Sequence, residues 1–375
     1  MTVRQARILA TVLLALVPAI VAAMVIALPG AAGAARSPEA AAERFLDDYL
    51  GPDGRVVRHD QGGDTVSEGQ AYAMLVAVAL GDRERFDLAW GWTRAHIQRP
   101  DGLLAWHWAG GLVRDSEPAS DADLDAARAL VLATERFGAP GYGAEGARIA
   151  EAILREETAR TPGGLVLVAG PWARGATVRV NPSYFSPRAF ADLARASGDT
   201  RWNVLAAASS RLVDALTSSG LGIAPNWAVV DGLGAASPAP GPGDAPSWGL
   251  DAARIQPRFA EACSGADRAL AARAWPFLRE LTRGGDVAID YSLDGRPLST
   301  AVNPLGLVAA AGAAAAAGET GERDALLDRA EALGQAHPTY YGAAWIALGR
   351  LMLTTDRLGA CPAPRPPGTA GLTAP

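Results

Sequence analysis

The feature that most constrains this chain is a rhythm. From Pro38 onward, apolar residues recur at helical spacing for some 12 to 18 positions, a short Gly, Pro or Asp punctuation follows, and the pattern starts again. It predicts about twelve helices, near 38–49, 67–80, 82–97, 121–137, 142–158, 186–196, 201–217, 250–262, 266–283, 301–317, 320–334 and 339–353. Strand-like runs are few. Twelve helices in antiparallel pairs imply an all-α closed ring or a solenoid, and the lack of a residue-level repeat of fixed period favours one closed domain over an open stack.

A chain of 375 residues with 49% hydrophobic and 20% charged residues can bury a large core. Its net charge of −6, with Lys and Arg scattered, offers no basic surface for phosphates and argues against a nucleic-acid partner. Arg4 and Arg7 precede an apolar run from Ile8 to about Ala35, which reads as an export signal. Ala32-Gly33-Ala34 resembles a cleavage site, yet the run is long enough to span a bilayer, so residues 1–36 are either a signal peptide or a membrane anchor through residues 8–35. In both cases the body, residues 37–355, is expected outside the cytoplasm, where Cys263 and Cys361 are permitted to pair. Residues 356–375 read as a Pro-rich disordered tail.

Three connections exceed what a helical hairpin needs: 101–120, 161–185 and 231–249. Long ordered loops tend to carry function. Trp106, Trp108, Trp172, Tyr184, Trp227 and Trp248 lie in or beside them, and flat aromatic rings suit the apolar faces of pyranose sugars. Three acids stand at helix starts near the same loops: Glu68 in SEGQAYAM, Asp121 in ASDADLDAARALVLA, and Asp251 in LDAARI. Each has a plain alternative. Ser67 and Gln70 fit a capping box with Glu68 in the first turn, Asp121, Asp123 and Asp125 suit a helix N-terminus, and Asp251 can pair with Arg254 or Arg258 on its own helix. Together, acids beside aromatic loops point to glycoside hydrolysis, which needs one protonated and one ionised carboxyl group across a sugar ring. The histidines, His59, His96, His107 and His337, are far apart and neither cysteine has a ligand at zinc-site spacing, so no metal or other cofactor is expected. No serine-hydrolase elbow or P-loop motif occurs.

The segments SEGQAYAM, ASDADLDAARALVLA, NPSYF (181–185) and LDAARI, in this order, resemble glycoside hydrolase family 8, whose members include bacterial endoglucanases, chitosanases and some xylanases. The chain is most similar to the periplasmic cellulases that accompany cellulose synthesis. The resemblance implies an (α/α)6 barrel and an inverting endo-β-1,4-glucanase. It implies Glu68 as proton donor, Asp251 as the base that activates water, and Asp121, Tyr184 and Arg254 around the sugar before the scissile bond. Trp106, Trp108, Trp172 and Trp248 are expected along the substrate path. Partners implied are a β-glucan and a cellulose-synthesis complex, with the chain itself a monomer. Alternatives are a chitosanase, suited by the acidic charge, and a non-catalytic glycan-binding protein of a polysaccharide-secretion complex. Where relatives have Gly-Tyr-Gly-Met this chain has Ala71-Tyr72-Ala73-Met74, whose two added methyls are expected to narrow the cleft floor. Leu250 replaces a frequent aromatic before Asp251, and Ala126 an expected Ile or Met.

Overall fold

A computed structural model describes residues 37–241 and 245–361. The expected signal or anchor, residues 1–36, lies outside the described residues. Thirteen α-helices occur among the described residues. Six form an inner ring: α2 (Ser67–Leu80), α4 (Ser120–Phe137), α6 (Pro187–Ser197), α8 (Ile255–Ala260), α11 (Pro304–Ala316) and α13 (Tyr340–Thr354). Each packs on the next, and α13 returns to α2, so the ring closes. Around it stand α1 (Pro38–Tyr49), α3 (Arg83–His96), α5 (Pro140–Glu156), α7 (Arg201–Thr217), the pair α9 (Gly265–Ala272) and α10 (Trp275–Gly284), and α12 (Thr320–Ala336). This is the (α/α)6 barrel.

Sequence pattern sorts the two rings. An outer helix such as α7 buries one stripe, Trp202, Leu205, Ala208, Ser209, Leu212 and Val213, whereas α2 buries every residue except Glu68 and Leu80. A helix apolar on all sides belongs inside. Glu68 is therefore a carboxyl group at the polar first turn, with Ser67 and Gln70, of a helix that is apolar from Ala71 onward apart from the Tyr72 hydroxyl. The expected helix 266–283 is two helices because Pro276 lacks an N–H and its ring crowds the preceding turn, which starts a new helix at Trp275.

The long connections are not irregular. Residues 105–109 (β2) and 112–118 (β3) form a hairpin turned by Gly110 and Gly111, both at positive φ, and β1 (Thr65–Val66) pairs with β2. The second connection closes the short hairpin β4 (Thr158–Thr161) and β5 (Gly164–Leu167) and supplies β6 (Val178–Val180), which pairs with β7 (Trp227–Val230). The third contains β8 (Ala236–Ala239), paired with β7, and β9 (Ser247–Gly249), paired with β10 (Asp290–Ser292). Helical periodicity overlooked these strands because each is only a few residues long.

Cys263 and Cys361 are disulfide-bonded. The start of the expected tail is packed rather than loose: Leu358 is buried, its carbonyl accepts from Arg128 and that of Ala360 accepts from Arg188. Residues 362–375 lie outside the described residues.

Candidate active site

The inner helices α2 and α13 direct their N-terminal ends, the positive ends of their dipoles, to one cleft of about 560 Å³, and the 3-10 turn ahead of α8 brings Leu250 and Asp251 to it. Glu68 and Asp251 both border it, with Arg58, Asn226, Trp227, Leu250, Asp290, Tyr340 and Tyr341. Two of the three expected acids thus share a cleft. Asp121, at the start of α4, is buried one layer behind.

Glu68 enters the cleft because the expected capping box does not form. Val66 occupies the N-cap position without a side-chain bond, and Gln70 is buried. Gln70 Oε1 accepts from Val56 N–H at 2.6 Å, while Nε2 donates to Gly54 O, Ala89 O and Thr93 Oγ1. Its amide serves peptide groups of the adjoining loop and of α3, leaving Glu68 free for other work. Gly69 has a steric reason: a Cβ there would lie 2.9 Å from Tyr340 Oη. Glu68 Oε2 is buried without a hydrogen-bond partner among the described residues. Burial and the nearby charge of Asp121 raise the Glu68 carboxyl from 4.5 to about 7, against the opposing pull of Arg254 and Arg58. Arg58 is held by Asp64 through bonds of 2.7 and 2.5 Å, and Asp64 is contacted in turn by His107 Nε2 at 2.9 Å.

Arg254 organises the other acids. Nη1 donates to Asp121 Oδ2 at 2.6 Å and to Tyr72 Oη at 3.3 Å; Nη2 donates to Asp251 Oδ1 at 2.9 Å and to Ser183 Oγ at 2.8 Å. Asp251 keeps 35% of its side chain exposed, so it is both ion-paired and open to water. Burial raises the Asp121 carboxyl although Arg254 opposes this. The expected pairing of Asp251 with Arg254 is present. It coexists with a place on the cleft rather than replacing it.

The contact of Arg254 with Asp121 is the first rung of a ladder between α4 and the 251–261 segment. Arg258 grips Asp125 in two bonds of 2.8 and 2.6 Å, and Arg128 grips Glu261 at 3.0 and 2.6 Å. Asp121 and Asp125, four residues apart, share one helix face. Asp123 faces elsewhere and accepts from Leu104 N–H at 2.8 Å, tying α4 to the segment that leads into β2. Reading Asp123 and Asp125 as simple first-turn acids misses both contacts.

The aromatic residues divide. Trp227 borders the cleft, with Trp172, 52% exposed, 6.1 Å away and Tyr184 6.3 Å away between ring centroids; Arg254 lies over the Tyr184 ring at 5.1 Å. These three rings form one aromatic cluster, with Trp227 on the cleft and Trp172 at the surface. Trp106 and Trp108 are half-buried on β2 and do not border this cleft; Trp108 packs edge-on to Trp92 and beneath Arg55. Trp248 is buried against Tyr291, with no ring face open to a sugar, because strand alternation turns it inward between Ser247 and Gly249. Ala71 and Ala73 are fully buried between helices and border no part of the cleft, so their methyls do not form its floor. Ala126 is buried, whereas Leu250 lies on the cleft. Sequence reasoning missed Arg58, Asn226, Asp290, Tyr340 and Tyr341; only the Tyr340-Tyr341 pair at a helix start carried a visible signal.

An (α/α)6 barrel with acids and aromatic rings across the ends of its inner helices is the class of fold and site that suits a glycan-cleaving enzyme. The model of the glycosyl hydrolases family 8 matches residues 13–274, and the chain belongs to that family. It is 33% identical over 229 residues to a probable endoglucanase of Novacetimonas hansenii, covering 58% of this chain and 66% of that protein. It is 35% identical over 222 residues to an endoglucanase of Xanthomonas axonopodis pv. citri, covering 55% and 57%. The chain spans about half to two thirds of the length of such curated relatives. Among solved structures, the endo-β-1,4-glucanase CMCax of Acetobacter xylinum superposes with a TM-score of 0.70 at 27% identity, covering 84% of this chain and 98% of that one.

Proposed function

We propose that the chain is an inverting endo-β-1,4-glucanase acting on cellulose or a related β-glucan, with Glu68 as general acid and Asp251 as general base. The observation that carries this is the pairing, on one cleft, of a carboxyl group raised to about 7 with a carboxylate that is ion-paired and open to water. Environments that separate two acids in this way define a proton donor and a proton acceptor. Relatives named endoglucanase support the substrate class.

In the proposed reaction Glu68 gives its proton to the glycosidic oxygen as that bond breaks. Asp251 takes a proton from a water that attacks the anomeric carbon from the opposite face. Inversion needs a gap of about 6.5–9.5 Å between the two carboxyl groups for that water. Arg254, braced by Asp121 and lying over the Tyr184 ring, holds Asp251 toward the sugar from behind the cleft, and Trp227 and Trp172 carry the chain outward. The disulfide supports a location outside the cytoplasm. The same reading takes residues 1–36 as a signal peptide or membrane anchor and places the chain beside a cellulose-synthesis complex.

A second reading, chitosanase, draws on the acidic cleft lining, where Asp60 and Asp290 add to the two central acids. A panel of soluble cellulose derivative, mixed-linkage glucan, chitosan and xylan, with product sizing, tests both. Internal cutting of the β-glucans is expected. Cutting of chitosan alone selects the second reading, and no cutting of any polymer contradicts both.

A further inference from the structure

We propose that Asn226 is the positioning residue for Asp251: its side-chain oxygen accepts from the backbone N–H groups of Gly249 and Ala252, both at 2.9 Å, clamping the turn that presents the carboxylate. The inference rests on Asp251 being the base.

The turn needs such a clamp. Pairing of β9 with β10 ends at Gly249 opposite Asp290, and the next regular element, a 3-10 turn, begins at Ala252. Leu250 and Asp251 lie between, and the two N–H groups that bracket them converge on one oxygen. Asn226 is itself anchored to the same segment. Its backbone N–H donates to Ser247 O at 2.7 Å and its Nδ2 donates to Ser247 Oγ at 3.2 Å. With two N–H donors on one side, the orientation of the amide is fixed by its partners. Gly249 completes the fit, since a Cβ there would stand 3.0 Å from both Asn226 Nδ2 and Ile289 O. Arg254 fixes the far end of the Asp251 side chain, so the clamp and the guanidinium set its backbone and its carboxylate separately.

Asn226 also borders the cleft, so a direct sugar contact is the competing role, and kinetics separate the two. The test compares the parent chain with Asn226→Ala, Asn226→Asp and Asp251→Asn on a soluble cellulose derivative. Displacing a catalytic group by about 1 Å costs about 10²-fold, so Asn226→Ala should lower kcat by that amount with little change in KM. Asn226→Asp keeps both acceptor sites and should recover at least about tenfold of the loss. A raised KM with unchanged kcat in Asn226→Ala would assign Asn226 to the sugar and overturn the proposal. So would an Asn226→Asp protein as impaired as the alanine variant. Should the alanine variant not fold, Asn226→Asp decides: near-parent kcat supports the clamp, and a loss as deep as that of Asp251→Asn refutes it. A parent that cuts no glucan, or an active Asp251→Asn, defeats the assigned reaction instead and is read separately.

Discussion

Arg254 and Asp121 meet at 2.6 Å with both side chains buried, and the second arm of the same guanidinium reaches Asp251 at 2.9 Å. One cation therefore sets the separation of two carboxylates contributed by segments far apart in the chain. Lysine keeps the charge but lacks the fork. Arg254→Lys should lower kcat by about 10²-fold through misplacement of either acid. Arg254→Met should also destabilise the fold, by about 3–5 kcal/mol, because Asp121 is left buried without its cation. Activity assays and urea unfolding measure the two effects, and a lysine variant within a few-fold of the parent would show that the fork is dispensable.

Glu68 couples activity and stability to pH in the same direction, both declining as the carboxyl loses its proton. As an acid raised to about 7, it should give a rate that falls as pH climbs through that region. For stability, a carboxyl raised in the folded state leaves stability intact below its unfolded value near 4.5 and erodes it as pH rises from there to about 7, above which the loss is complete. Glu68→Gln should lose about 10²–10⁴-fold in turnover. It should be more stable than the parent at pH 8, by an amount bounded on the order of 3 kcal/mol, and equal to it near pH 4. Asp123 and Glu157, also raised by burial, remain in the variant, so some alkaline loss persists. Thermal melts of the two proteins across pH check the sign, and a gap that widens toward acid would refute it.

The three central acids were legible in the sequence because each interrupts a recognisable pattern, a carboxylate at the mouth of an apolar helix beside a long connection. The ladder was not legible, because Asp121 and Arg254 are 133 residues apart and only ring closure brings them together. Gln70 illustrates a different failure. Its spacing from Ser67 fits a local cap, but loop peptide groups buried beside it have a stronger claim on its amide. Trp248 fails for a third reason: in a three-residue strand the inward position is set by pairing with β10, which no local pattern announces.

The disulfide should govern stability rather than catalysis. It joins residues 98 apart and fastens the segment that follows α13 to the barrel. A loop of that size stabilises by about 4–5 kcal/mol in the chain-entropy view. Cys361→Ser should therefore melt several degrees lower while keeping its kcat at 25 °C. A proportionate loss of kcat in the folded variant would instead link the strap to the site.

Trp172 is exposed at the outer end of the aromatic cluster that reaches the cleft through Trp227, where the proposed reading runs the substrate. Trp172→Ala should raise KM for long glucans up to about tenfold, the equivalent of about 1.4 kcal/mol for a lost aromatic platform, and leave kcat nearly unchanged. Short oligosaccharides that do not reach it should show no difference. An equal effect on short and long substrates would remove Trp172 from the path.

The assignment of Glu68 and Asp251 is tested most directly by the stereochemistry of the first product. With an acid on one side and a water-activating base on the other, hydrolysis of a β-linked chain proceeds by a single displacement. Proton NMR of the reducing end, recorded before mutarotation, should show the α-anomer appearing first. Initial β-anomer would mean two displacements through a covalent intermediate, and would contradict the roles given to both carboxyl groups.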